Sequence, residues 1–271
     1  MGMDQFYTKD EIAVRCYNIL FDKIKSFDKF DILLEPSAGN GSFFKLLDNK
    51  KREGIDIEPK FDGIKKMNFF DYIPDKKKIY LVIGNPPFGR ISSQAINFFN
   101  KSAEFADIIA FIIPRTFNRT SVQNKLNLYF QLIYSENLPL KPCCFSPPIN
   151  AKCCFQIWKK TDKKRKKMIY EKTHKDFSFL KFGPNDENNQ PTPPLNADFV
   201  MKAYGSNCGK IVTNNLKNLR PKSWHWIKSN INIDTLKERF ESLDYSMSQD
   251  TVRQDSIGQQ EVIFLYKEKY G

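Results

Sequence analysis

Residues 108–113 read IIAFII, an apolar run without polar alternation. A strand of that composition must be covered on both faces, which is the situation of a parallel sheet held between two helix layers. Other strand-like segments stand at 31–35 (DILLE), 54–57, 79–84 (IYLVIG), 129–135 and 153–158. Helix-like stretches at 9–26, 41–48, 92–105 and 118–126 are interleaved with them. Strand alternating with helix predicts a doubly wound α/β sheet.

The alternation fades after a run of like charge at 159–167 (KKTDKKRKK), which cannot pack in a core and marks the expected domain boundary. A sheet domain is therefore expected over 1–160 and a small basic region over 161–271. The latter has strand-like pieces in 168–180, 199–212 and 224–228 and helices at 234–243 and 259–269, an α+β pattern. The 271 residues carry 43 Lys plus Arg against 31 Asp plus Glu, a net charge of +12. Residues 1–158 hold 22 basic and 17 acidic side chains, and 159–271 hold 21 and 14. That excess makes nucleic acid the first partner to consider. No apolar run approaches the roughly 20 residues of a membrane span, and the N-terminal residues are too polar for a secretory signal, so no membrane partner is expected. The pairs Cys143, Cys144 and Cys153, Cys154 fit neither a disulfide framework nor zinc spacing, because adjacent strand residues point to opposite faces. Reduced thiols, an intracellular location in a reducing cytoplasm and no metal follow as expectations.

Three loops carry chemistry. Glu35, Pro36, Ser37, Gly39 and Gly41 stand where the first strand turns toward a helix. The glycines let the backbone approach a ligand, and an acid at the strand end argues for a ligand bearing a cation rather than a phosphate. Phe44 occupies the place of the third glycine of a dinucleotide fingerprint, and no phosphate-loop Lys is present. About 20 residues on, Asp56 ends the next strand, where a carboxylate can accept hydrogen bonds from ribose hydroxyls. Third, residues 81–84 deliver Asn85, Pro86, Pro87 and Phe88. Prolines remove N–H donors and fix the backbone, so Asn85 Oδ1 and the Pro86 carbonyl become a pair of acceptors suited to the two hydrogens of a ring-bound NH₂, with Phe88 available to stack.

This ordered set resembles the class I S-adenosylmethionine-dependent methyltransferases of the adenine-N6 type, with an Asn-Pro-Pro-Phe tetrapeptide and a gamma-like order of motifs. Asp4, Gln5, Phe6, Tyr7, Thr8 and Lys9 are similar to the QFYT segment that opens many DNA adenine methyltransferases. The resemblance covers roughly residues 4–158. It implies a Rossmann-like seven-stranded sheet and S-adenosyl-L-methionine as cofactor. It further implies cofactor contacts from Tyr7, Thr8, Glu35, Pro36, Ser37, Gly39, Gly41, Asp56, Ile57, Asn68, Phe69 and Asn85. Asn68 stands where the family usually has Asp, and Asp71 is its rival. Catalysis falls to Asn85, Pro86, Pro87 and Phe88, which hold an adenine amine against the activated methyl without a strong base.

The reading is an enzyme transferring a methyl group to adenine N6 in nucleic acid, DNA before RNA. The alternatives are an RNA adenosine methyltransferase, a protein glutamine methyltransferase whose amide would suit the same acceptors, and a non-catalytic methyltransferase-like subunit. Arg90, Arg115, Arg119, Lys163, Lys164 and Arg165 are the candidate phosphate contacts.

Overall fold

A computed structural model describes residues 6–271. The chain divides into two compact units, Met1–Lys167 and Met168–Gly271.

The first unit runs β1 (Tyr7–Thr8), α1 (Asp10–Ile24), β2 (Ile32–Glu35), β3 (Arg52–Asp56), β4 (Lys65–Lys66), β5 (Tyr80–Gly84), α2 (Ser93–Ser102), β6 (Ala106–Pro114), α3 (Thr120–Gln123), β7 (Phe130–Asn137), β8 (Phe145–Ser146) and β9 (Cys153–Lys160). Seven strands form one sheet in the order β4-β3-β2-β5-β6-β9-β7. The pairs β3–β4, β2–β3, β2–β5 and β5–β6 are parallel, while β9 runs antiparallel between β6 and β7. This is the Rossmann-like seven-stranded architecture that the motif order implies.

The IIAFII segment behaves as its composition demands. Ile109, Phe111 and Ile113 enter one core, with Phe99 and Trp158, whereas Ile108, Ala110 and Ile112 enter the other, with Leu20 and Phe155. All six are at most 1% exposed. Fully burying one such aliphatic or aromatic side chain contributes about 1.5–3 kcal/mol, so each face of this central strand is strongly specified. Helix α1 presents Ala13, Cys16 and Leu20 to the second core, a helical spacing, and ends where Lys25 turns left-handed (φ 67°) and its N–H bonds the Phe21 carbonyl.

Local differences from the sequence reading have physical causes. The helix expected over 41–48 is a run of turns with a 3₁₀ segment at Phe44–Leu46. The amide of Phe44 is bonded to the Glu35 carboxylate instead of a carbonyl one turn back. β1, β4 and β8 each contain only two residues and lack a legible period.

The second unit contains β10 (Phe177–Phe179), β11 (Phe199–Lys202), β12 (Ile211–Val212), β13 (Trp224–Ser229), α4 (Ile233–Glu241) and α5 (Gln259–Tyr270). Its antiparallel sheet, ordered β10-β13-β11-β12, packs Phe177, Phe199, Met201 and Ile227 against Leu236, Phe240, Val262, Ile263 and Tyr266 of the helices. An α+β unit results. The boundary falls seven residues beyond the expected one, because the run 159–165 is stitched to the first unit: Thr161 N bonds the Tyr129 carbonyl and Arg165 N the Leu128 carbonyl. With those lysines counted in the first unit, Met168–Gly271 holds 14 Lys plus Arg and 13 Asp plus Glu. The basic excess expected of 161–271 thus resides mainly in its first seven residues, which belong to the first unit.

Candidate active site

In the first unit, β2 is flanked by β3 on one side and by β5 on the other. The chain order reverses at that point, and in open α/β sheets the crevice outside the carboxyl ends of the two diverging strands is where ligands bind. The loops leaving β2 and β5 are the glycine loop and the Asn-Pro-Pro-Phe segment. Asp56 ends β3 beside them, and Asn68 follows β4. Topology therefore gathers onto one sheet edge four segments that span more than fifty residues of chain.

The glycine loop is tied down by carboxylates. Glu35 is 3% exposed, and its Oε2 accepts the Phe44 N–H at 2.6 Å. Burial pushes its carboxyl well above the usual carboxylate range, opposed by hydrogen bonds from the Phe44 and Phe43 amides. Glu35 is thus turned onto its own loop, an arrangement different from the cation-facing acid expected from sequence. Gly39 (φ 48°) and Gly41 (φ 75°) hold left-handed backbone, and a Cβ on Gly39 would meet the Tyr7 ring at 2.7 Å. Only glycine satisfies both conditions there. Asp56 Oδ2 accepts the Gly39 N–H and Oδ1 the Glu58 N–H, both at 2.8 Å. Each carboxylate oxygen keeps a second lone pair for a ligand hydroxyl. Pro36 is buried, and Ile57, 44% exposed, stands next to Asp56 at the rim.

The pair Asn68 and Phe69 is split. Asn68 is exposed, and its Oδ1 accepts the Phe70 N–H at 3.1 Å, capping the 3₁₀ turn Phe69–Asp71. The Phe69 ring is 2% exposed and stacks on Phe98 within the core. Phe70 is the ring this turn leaves at the surface, at 44% exposure. The adjacent pair of phenylalanines was the only sequence signal for it.

Asn85 is the centre of the arrangement. Its Nδ2 donates to the Phe6 carbonyl at 3.3 Å, which turns Oδ1 the other way. Among the described residues no donor reaches that buried oxygen. Leaving a buried acceptor unbonded costs about 1–3 kcal/mol. Ser37 Oγ donates to the Asn85 main-chain carbonyl at 3.2 Å, joining the two loops. Pro86 is buried, Pro87 exposed, and Phe88 half-buried with its ring edge-on to Phe145, centroids 6.4 Å apart.

An antiparallel ribbon of β1 and β8 contacts both loops, with Tyr7 opposite Ser146 and Thr8 opposite Phe145. Ser42 Oγ donates to the Thr8 carbonyl at 2.6 Å. The Thr8 hydroxyl is buried with no hydrogen-bond partner among the described residues. Burial raises the Tyr7 pKa, with Lys60 opposing it. Ser42 and Phe145 escaped the sequence reading because their roles depend on tertiary pairing. Asp4 and Gln5 lie outside the described residues.

The candidate phosphate contacts separate widely. Arg90 is exposed, two residues beyond Phe88. Arg119 is half-buried at the start of α3. Arg115 is occupied: its Nε donates to the Cys153 carbonyl at 3.3 Å and its Nη2 to the Leu138 carbonyl at 2.9 Å. Lys163, Lys164 and Arg165 require a larger correction. Because β9 is antiparallel, Lys159 lies opposite Ile108, near the amino end of β6, while Cys153 lies opposite Pro114 at the other end. The charged run thus leaves the sheet toward the amino end of β6, whereas Asn85 follows Gly84, which lies opposite Phe111 toward the carboxyl end. Arg165 donates from Nε to the Phe130 carbonyl at 2.6 Å and from Nη2 to the Gln123 carbonyl at 3.0 Å, and burial lowers its pKa. Lys164 lies over the Tyr129 ring. No group of side chains among the described residues could hold a metal ion, and no helix among them is long and apolar enough to cross a membrane.

No family model and no curated protein matches the chain. Among solved structures it is similar to a provisionally assigned RNA methyltransferase from Pyrococcus horikoshii, at 16% identity and TM-score 0.43 over 59% of this chain and 88% of that one. It is similar to the 23S rRNA methyltransferase ErmE at 13% identity and TM-score 0.43, over 58% of this chain and 71% of that one. A modification subunit of a provisionally assigned type I restriction enzyme from Vibrio vulnificus aligns at 12% identity and TM-score 0.43, over 94% of this chain and 59% of that one.

Proposed function

We propose that the chain is an S-adenosylmethionine-dependent methyltransferase acting on the N6 amine of adenine in nucleic acid, DNA before RNA. The observation that carries this reading is the buried Asn85 Oδ1, which meets no donor among the described residues, at the topological switch point beside the glycine loop and Asp56. A buried acceptor without a donor is explained when the donor arrives with a ligand.

The cofactor reading fits the residues present. Asp56 offers free lone pairs to a ribose diol, and the buried Thr8 hydroxyl has no partner among the described residues, next to the glycine loop that the Thr8 main-chain carbonyl helps to hold. Tyr7, Ser37, Gly39 and Gly41 would line the rest of that pocket, with Ile57 and the Asn68 turn at the purine end. The bound cofactor supplies a methyl group already activated by the sulfonium charge. Glu35 acts here as a positioning residue, since its carboxylate holds the loop amides.

At the acceptor end, Asn85 Oδ1 and the Pro86 carbonyl accept the two amine hydrogens. This draws the nitrogen toward a pyramidal geometry and directs its lone pair at the methyl. Ser37 fixes the main chain of Asn85, and the Phe6 carbonyl fixes its amide, so the acceptor is oriented before substrate binds. Phe88, braced by Phe145, supplies an apolar face for the purine. An adenine stacked in duplex DNA must be extruded to reach these groups.

The test is incubation with methyl-labelled S-adenosylmethionine and, in separate reactions, duplex DNA, single-stranded DNA, RNA and protein, followed by mass spectrometry of the labelled product. N6-methyladenine in DNA is the expected result. Label in RNA alone moves the substrate to RNA, label on glutamine moves it to protein, and label nowhere removes the enzyme reading.

A further inference from the structure

We propose that Ile91 is an apolar wedge that enters the base stack of duplex nucleic acid when the target adenine is drawn out to Asn85. The inference rests on the adenine reading above and adds to it a residue that none of the motifs contains.

The segment after Phe88 makes an unusual corner. Gly89 has positive φ (φ 66°, ψ 176°), and Ile91 (φ 52°, ψ 39°) and Ser92 (φ 60°, ψ 18°) hold left-handed backbone. Glycine tolerates that region, but for a β-branched side chain it is a genuine outlier. The expected compensation is burial, and Ile91 has none, being 77% exposed. Ile73, Ile169 and Leu195 are more exposed still, yet none of them has positive φ. The corner is also held firmly. Ser92 is fully buried, and its Oγ shares a 2.7 Å hydrogen bond with Thr116 Oγ1. Thr116 belongs to the turn Arg115–Asn118 that follows β6, and Asn118 Oδ1 accepts from the buried Gln156 Nε2 at 2.7 Å. A rigid support therefore keeps an isoleucine in a costly conformation, pointing into solvent three residues past Phe88. Strain held by the surrounding structure at such a position points to use in binding. Of the available ligands, unstacked bases fit best. Apolar side chains such as Ile wedge between base steps, and the adjacent exposed Arg90 can meet the phosphates.

The experiment compares wild type with Ile91→Ala and Ile91→Gly on a pool of DNA oligonucleotides, presented as duplexes and as the same strands unpaired, with labelled S-adenosylmethionine. Both variants should lose on the order of tenfold in kcat/KM on duplex while single-strand activity stays within about twofold. Duplexes whose adenines face abasic sites should restore the variants, because less unpairing is then required. Ile91→Gly should also melt at a higher temperature, since glycine relieves the corner, so stability and duplex activity move in opposite directions. Equal loss on duplex and single strands, loss accompanied by a lower melting temperature, or no loss in either overturns the wedge while the adenine reading stands. A wild type active only on single strands also overturns it. A wild type that methylates no nucleic acid takes both readings down.

Discussion

Among the described residues, the unit Met1–Lys167 leaves Asn85 Oδ1 and Thr8 Oγ1 buried without a partner at one edge of its sheet, whereas Met168–Gly271, Thr251 Oγ1 aside, bonds its buried polar groups to one another. Asp176 accepts from both Arg239 and Tyr266, Trp226 Nε1 donates to the Pro221 carbonyl, and His225 Nε2 pairs with the Ile257 carbonyl. Burial lowers the His225 pKa against the opposing pull of that hydrogen bond, so the ring sits neutral in a structural contact. Charge divides the same way. The first unit holds 29 Lys plus Arg and 18 Asp plus Glu, against 14 and 13 in the second. A binding site is thus recognised by polar groups that the fold positions but does not satisfy. Any share the second unit takes in choosing the substrate must come from individual contacts, since it has little net charge to contribute.

The largest expected effect tests the division itself. Phe240 is fully buried in the second core, and Phe240→Ala should cost that unit about 3–5 kcal/mol. Hydrogen exchange should show lost protection in α4, α5 and β13 and unchanged protection in β5 and β6. Equal loss everywhere would make the two units one cooperative body.

Next, Asn85→Ala should lower methyl transfer on the order of hundredfold with the melting temperature little changed, because it deletes an acceptor that meets no donor among the described residues and loses only the 3.3 Å hydrogen bond to the Phe6 carbonyl. A drop in stability with activity kept would assign Asn85 to the structure instead.

A smaller effect sharpens the contrast in charge. Removing exposed Arg90 should reduce the slope of log affinity for DNA against log salt by about one, whereas Lys217→Ala in the second unit should leave it nearly unchanged. The reverse ranking would move the grip to the second unit.

The least expected change concerns pH. Glu35 is held above its ordinary pKa, so the native state keeps a proton that the unfolded chain releases. Stability should fall as pH rises from the ordinary carboxylate range through the raised folded-state value. Glu35→Gln should flatten that part of the melting-temperature profile, and an unchanged profile would clear Glu35 of it.

Much of the site was legible because parallel strands place their loops predictably. Glu35, Asp56 and Asn85 each end an apolar segment, and in a doubly wound sheet strand ends converge at one edge. The placement of Phe69 and of the lysine run was not legible, for opposite reasons. A phenylalanine reads the same whether it faces a ligand or a core, and a run of lysines does not announce which way the preceding strand points.

By itself, then, the sequence determined the element types, the doubly wound class and the residues able to accept an amine, since all of these depend on local period and side-chain chemistry. Tertiary structure alone decided that Asn85 Oδ1 meets no donor among the described residues, that β1 and β8 pair beside the glycine loop, and that antiparallel β9 carries Lys163, Lys164 and Arg165 away from the crevice. Those outcomes depend on pairings between residues far apart in the chain, which no local pattern encodes.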